Sequence, residues 1–303
     1  MARMAAGVTP FRGLSAFPIT PADAAGRVDT GALAGLLERL AAAGVDSVGL
    51  LGSTGTYAYL TRAERRRAVE AAVEALGGRV PVIVGAGALR TDEAMSLAGD
   101  AEAAGADGLL LAPVSYTPLT DEEVFQHFAA VAGATGLPVC IYNNPSTTHF
   151  TFSDDLVVRL SALPRVAAVK NPAPAPVEAK AVVQALRARV PAGFSVGYSA
   201  DWHSPDAVLA GADAWYSVLG GTLPRTCLAL TRAAQAGDEA EMRRIDATLH
   251  PLWDLFRRHG SIRVVFAAAN LLGLTDAQPP RPVLPLDEAG RAAVAQALAG
   301  LDG

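Results

Sequence analysis

The sequence predicts a closed (β/α)8 barrel with a C-terminal appendage of three helices, and three observations support this prediction. Eight short apolar runs follow one another roughly every 30 residues, the length of one strand–helix unit. An amphipathic stretch separates each run from the next, and several of these stretches end on glycine. After about residue 236 three helical patterns follow without intervening strands.

The apolar runs are predicted to be parallel strands that are buried on both faces. They are too short for helices and show no clean alternation of polar and apolar residues, as expected for such strands. They lie at 14–17, 47–51, 81–85, 108–112, 138–142, 166–170, 194–198 and 214–218.

The stretches between the strands carry the signals of helices. Leucines at 33, 36, 37 and 40 share one helical face, and Gly44 follows as a C-cap. Thr61 and Glu64 have the spacing of a capping box. The arginines at 65–67 are predicted to form a solvated helix face.

The repeated segments "AGVD" (43–46), "AGADG" (104–108) and "AGAD" (210–213) each join a helix to the next strand. Eight such units fit a closed barrel better than the alternative, an open doubly wound sheet, which more often has fewer strands. We therefore predict a flexible N-terminus (1–11), a barrel (12–235) and a C-terminal helical domain (236–303).

The composition restricts the class of protein. A chain of 303 residues that is 51% hydrophobic can bury a large core, and a net charge of −5 disfavours a nucleic-acid surface. The two cysteines, Cys140 and Cys227, suit a reducing compartment, and Cys140 is predicted to be a core residue. The first eleven residues lack the apolar stretch of a secretory signal, and no segment is long enough to span a membrane. These features predict a cytoplasmic protein.

Candidate catalytic groups lie where three of the predicted strands end. Lys170 ends the sixth strand, just before Asn171-Pro172, which is predicted to leave the sheet. Tyr142 ends the fifth strand, and the glycine turn at 52–55 follows the second. The C-terminal ends of barrel strands meet at one mouth, so these groups are expected to converge there.

This combination of residue types indicates imine chemistry. Burial of a lysine disfavours the ammonium form, and the neutral amine can add to a ketone. A protonated imine is an electron sink for breaking or forming an adjacent carbon–carbon bond, and Tyr142 is placed to shuttle the proton. The N–H groups of the glycine turn can hold a carboxylate.

Three motifs in this order resemble those of the dihydrodipicolinate synthase / N-acetylneuraminate lyase family of class I aldolases. "GSTGT" (52–56) is similar to the family's Gly-Thr-Thr-Gly-Glu loop, and "YNNP" (142–145) to its Tyr-Asn-x-Pro. "VAAVK" (166–170) is similar to its strand that ends in the Schiff-base lysine. The similarity runs from about Phe11 to the last helix.

The resemblance implies a small 2-oxo acid substrate such as pyruvate, no metal, no organic cofactor, and a homo-oligomer, either a dimer or a tetramer. It implies catalytic roles for Lys170, Tyr142 and Ser53. The strand assignment predicts that Tyr198, His149 and His203 lie near the mouth. The predicted substrate-binding residues are Gly52, Ser53, Thr54, Ser115, Tyr116, Thr147, Tyr198 and Val218.

Two departures from the family pattern limit the substrate assignment. Synthases of the family have a second tyrosine after strand four, where this chain has Ser115 followed by Tyr116, and the sequence leaves open which one replaces it. Those synthases also place an arginine where Thr147 stands, and a threonine lacks the charged fork for a carboxylate.

The first hypothesis is therefore a lysine-dependent aldolase or lyase that uses pyruvate with a sugar-acid, aromatic or other aldehyde. The alternatives are condensation of pyruvate with aspartate semialdehyde, a hydrolyase acting on a 2-oxo acid, and a non-catalytic barrel that binds a 2-oxo acid.

Overall fold

The computed structural model describes residues 9–301, and its eight strands form one closed parallel barrel in sequential order. The predicted fold class is confirmed. The strands are β1 (Gly13–Ala16), β2 (Ser47–Leu50), β3 (Val82–Gly85), β4 (Gly108–Leu111), β5 (Val139–Tyr142), β6 (Val166–Pro172), β7 (Ser195–Ser199) and β8 (Ala214–Ser217).

Helices surround the barrel and continue beyond it. Those of the barrel are α1 (Thr30–Ala43), α2 (Arg62–Leu76), α3 (Thr91–Ala104), α4 (Asp121–Gly133), α5 (Pro145–Thr148), α6 (Asp154–Ser161), α7 (Ala179–Arg187), α8 (Ser204–Leu209) and α9 (Pro224–Gln235). The C-terminal helices are α10 (Glu239–His259), α11 (Ser261–Leu271) and α12 (Glu288–Leu298), as predicted. Short 3-10 turns lie at Tyr57–Tyr59 and Leu219–Gly221.

Side chains along each strand alternate between the barrel interior and the layer beneath the helices. The interior holds a compact cluster that includes Phe17, Cys140, Tyr142 and Tyr216. Cys140 is fully buried, as predicted, and burial raises its thiol pKa to about 12. The larger apolar cluster lies outside the barrel, between strands and helices.

The N-terminal segment reaches the bottom of the barrel. Of the predicted flexible segment, residues 1–8 lie outside the described part of the chain. Phe11 is fully buried, and its carbonyl accepts a hydrogen bond of 2.5 Å from the Ser195 hydroxyl. The domain limits at 11 and 235 remain a prediction.

Strand β6 extends two residues beyond the predicted end at Lys170. Asn171 and Pro172 stay in register with Tyr198 and Ser199 of β7, whereas the pairing with β5 ends at Lys170. The prediction that Asn171-Pro172 leaves the sheet is therefore wrong. The loss of pairing on one side explains why a proline is tolerated there.

The predicted capping box of α2 is only half formed. Thr61 accepts from the Glu64 N–H at 3.3 Å, but the Glu64 carboxylate accepts from the Val28 N–H at 2.7 Å. Both halves of a capping box occur instead at the start of α4, between Thr120 and Glu123. Glu64 thus ties α2 to the segment before α1.

Candidate active site at the mouth of the barrel

Lys170 projects into the barrel interior and is only 3% exposed. Its Nζ lies 3.8 Å from the ring centroid of Phe17, 4.4 Å from that of Tyr142 and 5.7 Å from that of Tyr216. Within residues 9–301, no carboxylate lies at salt-bridge distance from it. The amine is thus surrounded by aromatic rings and has no counter-ion.

Two glycines provide the space for these rings. A Cβ on Gly49 of β2 would lie 2.2 Å from the Phe17 ring, and one on Gly197 of β7 would lie 2.5 Å from the Tyr216 ring. Such distances are far below van der Waals contact. The absence of side chains at both positions therefore allows the rings to pack around Lys170.

Tyr142 lies beside Lys170 because the two residues are register partners on β5 and β6. Its hydroxyl is 3.2 Å from the Ser53 hydroxyl. The side-chain amide of Asn144 donates to Tyr142 Oη at 2.9 Å and to Ser53 Oγ at 3.4 Å. A bond from Asn144 occupies an acceptor site on the phenol, which leaves the Tyr142 hydroxyl free to donate to Ser53.

The loop after β2 has an unusual backbone conformation. Leu51 and Thr56 flank it with φ of 56° and 55°, values that non-glycine residues rarely adopt. The Thr56 N–H donates to the Ser53 carbonyl at 3.1 Å. In the described part of the chain, the N–H groups of Ser53, Thr54 and Gly55 have no protein acceptor. Unpaired N–H groups of this kind can bind an anion.

A buried carboxylate organises the end of β8. Asp201 is 2% exposed, and burial raises its pKa although four donors bond to it. Those donors are Trp215 Nε1 at 3.0 Å, Ser217 Oγ at 3.2 Å, Val218 N at 3.3 Å and Leu219 N at 2.7 Å.

The turn held by Asp201 packs against the end of β1. A Cβ on Gly221 would lie 2.4 Å from the carbonyl oxygen of Phe17, so only glycine fits. Through this contact the Asp201 carboxylate supports Phe17, whose ring lies against the Lys170 amine.

Arg65 is buried, which corrects the prediction of a solvated face for 65–67. It is 6% exposed and donates to the carbonyls of Gly85 at 2.7 Å and Gly87 at 3.1 Å. Arg66 and Arg67 are exposed, as predicted. The Arg65 side chain points inward, where its guanidinium donates hydrogen bonds to carbonyls at and just after the end of β3.

Three predicted substrate contacts have exposed or locally bonded side chains. The Ser115 hydroxyl bonds to the backbone of Thr117, and Tyr116 is 97% exposed. Thr147 is exposed, and its hydroxyl donates to the Asn144 carbonyl at 3.3 Å. Substrate contact by these three side chains remains a prediction.

Tyr198 and Val218 face the outer layer instead of the mouth. Tyr198 alternates outward on β7, is 1% exposed, and has its pKa raised to about 12 chiefly by burial. Val218 packs against the same outer core, and its N–H is bonded to Asp201. His149 is exposed, and the His203 ring packs edge-on against Trp202.

Between residues 9 and 301, none of the helices has the length and hydrophobicity of a membrane-spanning segment. Over the same residues, no group of three or more His, Cys, Asp or Glu side chains is placed to hold a metal ion.

A lysine buried inside a (β/α)8 barrel, next to a hydrogen-bonded tyrosine and a loop with unpaired N–H groups, is the arrangement of a class I, lysine-dependent aldolase. The sequence profile of the Dihydrodipicolinate synthetase family matches residues 10–300. The chain belongs to this family and is an enzyme of the lyase class.

Individual relatives agree with this assignment. The chain is 34% identical over 293 residues to 4-hydroxy-tetrahydrodipicolinate synthase of Acidiphilium cryptum, covering 96% of this chain and 98% of the relative. A crystal structure of dihydrodipicolinate synthase from Agrobacterium tumefaciens has a TM-score of 0.95 and 61% identity, covering 97% of this chain and 99% of that one. The dihydrodipicolinate synthase from Aquifex aeolicus has a TM-score of 0.87 and 31% identity, with coverages of 95% and 97%.

Proposed function

We propose that this enzyme forms or cleaves a 2-oxo acid through an imine between Lys170 and pyruvate. The observation that carries the proposal is the position of the buried Lys170 amine, 4.4 Å from the ring of Tyr142 and without a carboxylate partner in the described chain. An amine in such apolar surroundings is the kind of lysine that acts as a nucleophile.

The Lys170 amine adds to the keto carbon of pyruvate, and loss of water gives the imine. The protonated imine accepts the electron pair of an adjacent bond. A proton lost from the methyl group gives an enamine, which attacks an aldehyde carbon, and the reverse sequence cleaves the product.

Tyr142 is the proton donor and acceptor of these steps. Tyr142 lies on the strand next to that of Lys170, and its hydroxyl oxygen is 3.2 Å from the hydroxyl oxygen of Ser53. Asn144, which the motif contained but the sequence did not single out, fixes both hydroxyls through its amide. The proton can therefore move between Tyr142 and Ser53 with little rearrangement.

The loop after β2 binds the carboxylate of pyruvate. The N–H groups of Ser53 and Thr54 lack protein acceptors within the described residues, and the Ser53 hydroxyl lies at the same place. Gly52 and Gly55 keep this loop close to the barrel, since a Cβ on Gly55 would approach the Leu51 backbone to 2.9 Å. Oriented N–H groups hold a carboxylate without a charged side chain.

The aldehyde half of the substrate is proposed to be neutral, such as a sugar-derived or aromatic aldehyde. Thr147 stands where an arginine would bind a second carboxylate, and its hydroxyl is used within its own turn. Tyr198 and Val218 are not proposed as contacts, because their side chains pack in the outer layer. Contact by Ser115 or Tyr116 remains a prediction.

The second candidate function is 4-hydroxy-tetrahydrodipicolinate synthase, in which aspartate semialdehyde is the partner. The names of the relatives from Acidiphilium cryptum and Methylococcus capsulatus, each 34% identical, favour it. Such a reaction would require another cation in place of the arginine.

We further propose a cytoplasmic homo-oligomer, a dimer or tetramer, that binds no nucleic acid. Exposed apolar side chains on the surface, Leu89 at 65% and Tyr116 at 97%, support association between copies.

The imine is tested by reduction with borohydride in the presence of pyruvate, followed by peptide mass mapping. The chain contains only two lysines, Lys170 and Lys180, and Lys180 is exposed on α7. We expect the pyruvate adduct on Lys170 in wild type and in Lys180→Met, and no adduct on α7 or β6 in Lys170→Met. An unmodified Lys170 would remove the aldolase proposal and leave the non-catalytic barrel.

The aldehyde is tested with pyruvate and a panel that includes aspartate semialdehyde, sugar-derived aldehydes and aromatic aldehydes. We expect the neutral aldehydes to give the higher kcat/KM. A preference for aspartate semialdehyde would establish the second candidate, and water loss from a 2-oxo acid alone would establish a hydrolyase.

A further inference from the structure

Of the three aromatic rings around the Lys170 amine, that of Phe17 lies closest, and the steps above give it no role. The amine nitrogen lies over this ring, 3.8 Å from its centroid, whereas the Tyr142 and Tyr216 centroids are 4.4 Å and 5.7 Å away. The Phe17 side chain is 1% exposed and has no polar atom. Its π face therefore acts on the nitrogen in surroundings that exclude most water.

Three glycines make room for Phe17 in this position. A Cβ on Gly49 would lie 2.2 Å from Cζ of the ring, and one on Gly52 would lie 2.8 Å from Cδ1. A Cβ on Gly221 would lie 2.4 Å from the Phe17 carbonyl oxygen. The Tyr216 ring meets the Phe17 ring edge to face, with an angle of 83° between the two planes. Backbone from three segments and one further ring thus fix the orientation of the Phe17 ring.

A positive charge on Lys170 lacks the partner that a buried charge usually has. Buried ammonium groups are normally paired, because the loss of hydration is costly. Among the described residues, no carboxylate is within salt-bridge distance of this nitrogen. An aromatic face within about 6 Å of a cation attracts it through the quadrupole of the ring. Phe17 meets this condition with its centroid at 3.8 Å.

The strength of this attraction matters because the nitrogen must be neutral in one step and charged in another. The neutral amine adds to the keto carbon of pyruvate, water leaves, and the imine is reactive only with a proton on its nitrogen. When a methyl C–H bond then breaks, its electron pair forms the C=C bond of the enamine and the C=N π pair moves to the nitrogen. The released proton goes to Tyr142, the acceptor named above. A carboxylate against Lys170 would favour the ammonium form and oppose the first step.

We propose that the π face of Phe17 takes the place of a counter-ion for the Lys170 nitrogen and so sets the pH range in which the imine forms and reacts. This inference rests on the proposed function. The free ammonium and the protonated imine carry their charge on the same nitrogen, so the ring stabilises both. A weaker π face should therefore let the amine, and later the imine, lose its proton at lower pH.

The titratable groups that face this nitrogen lie on β5 and β8. They are Cys140 and Tyr142 on β5 and Tyr216 on β8. Burial raises the pKa of Cys140 to about 12 and raises the pKa of Tyr216 well above the usual value for a phenol. The inward residues of β1, β2 and β7 beside the amine do not titrate; they are Phe17, Gly49 and Gly197. All three titratable groups stay in place when only the Phe17 ring is altered.

The test replaces Phe17 in the full chain by phenylalanines whose rings carry two or three fluorine atoms. Fluorine withdraws electron density from the π face and changes the shape of the ring little. The same replacements at Phe266, which is 1% exposed on α11, are the matched control. Two rates are measured against pH: formation of the Lys170–pyruvate adduct, quenched into borohydride at successive times, and exchange of pyruvate methyl protons in D2O by NMR. Lys170→Met gives the background of both.

We expect fluorination of Phe17 to move the acid limb of adduct formation and the basic limb of proton exchange to lower pH. With three fluorine atoms both limbs should move by about 0.5–1 pH unit, and with two by less. On its acid limb, adduct formation should therefore be about three- to tenfold faster than in wild type. The fluorinated Phe266 chains should keep both wild-type midpoints.

Phe17→Leu, which keeps an apolar side chain and removes the π face, should move both limbs at least as far as three fluorine atoms. Wild-type midpoints in the fluorinated Phe17 chains, with normal trapping, overturn this inference alone. So do equal shifts at Phe17 and Phe266, or a shift in Phe17→Leu without one on fluorination, which would trace the effect to packing. Absence of trapping in wild type instead removes the proposed function, and this inference with it.

Discussion

Replacing Asp201 by asparagine tests how the carboxylate supports the mouth of the barrel. Oδ1 accepts from Trp215 Nε1 and Val218 N, and Oδ2 accepts from Ser217 Oγ and Leu219 N. An amide has a single oxygen, so in either orientation two donors lose their acceptor and face an NH2 group. The substitution keeps the volume and changes only the bonding.

The size of the effect follows from two opposing contributions. Two lost bonds to a charged acceptor cost about 3–6 kcal/mol together. Removing a fully buried carboxyl, whose pKa is raised by burial, relieves part of its desolvation. We expect a net loss of about 2–4 kcal/mol in the free energy of unfolding of Asp201→Asn.

The Asp201→Asn substitution should also affect the active site. The turn at Leu219–Gly221 packs on the Phe17 carbonyl, and the Phe17 ring lies 3.8 Å from Lys170 Nζ. We therefore expect kcat of Asp201→Asn to fall while the adduct still forms on Lys170.

Thermal and urea unfolding measure the stability. A chain of this size shifts its Tm by about 2 °C per kcal/mol, so Asp201→Asn should unfold about 4–8 °C below wild type. Asp254→Asn is the control, because that carboxylate is 73% exposed and pairs only with Arg257 among the described contacts. A Tm for Asp201→Asn as close to wild type as that of the control would refute the reasoning.

Three further predictions concern single side chains. Asn144→Ala, which removes both amide bonds, should reduce kcat about tenfold or more with Tyr142 still present, and an unchanged kcat would contradict this role. Gly49→Ala should cost about 1–3 kcal/mol in urea unfolding and lower kcat, because its Cβ would displace the Phe17 ring; wild-type values would contradict the packing argument. Burial lowers the pKa of His127, so the folded state favours the neutral ring. The contribution of this neutral ring to stability is present above the unfolded pKa of about 6.5, and it is lost as pH falls through the lower pKa of the folded state. His127→Gln should flatten that part of the Tm–pH profile, and a profile of wild-type slope would show that another group titrates.

Much of the fold was predictable because its signals are local. Buried parallel strands require apolar runs, and helices end on glycines such as Gly44, which has a φ of 80°. The eight strands lie in chain order around the barrel. The end of β6 was not predictable, because the pairing of Pro172 depends on β7 and not on its chain neighbours.

The centre of the site was also predictable, and its surroundings were not. Lys170 and Tyr142 were found because strand ends of a parallel barrel must meet. The inward orientation of the Arg65 side chain and the bond from Asn144 to Ser53 depend on atoms distant in sequence. Side chains alternate along β7, so Val196 and Tyr198 point to the same side. Since the apolar Val196 packs in the outer layer, this alternation would have excluded Tyr198 from the mouth.

The eight strand–helix units, the C-terminal helices and the amine–phenol pair at adjacent strand ends are all encoded in local sequence patterns. These features follow from the preferences of neighbouring residues and from the geometry that every parallel barrel shares. Which side chains face the amine is set by the folded barrel: the rings of Phe17 and Tyr216 point inward and Tyr198 points outward. Those positions depend on register, on close packing and on buried backbone groups that must find partners, and these are set only once the barrel has closed.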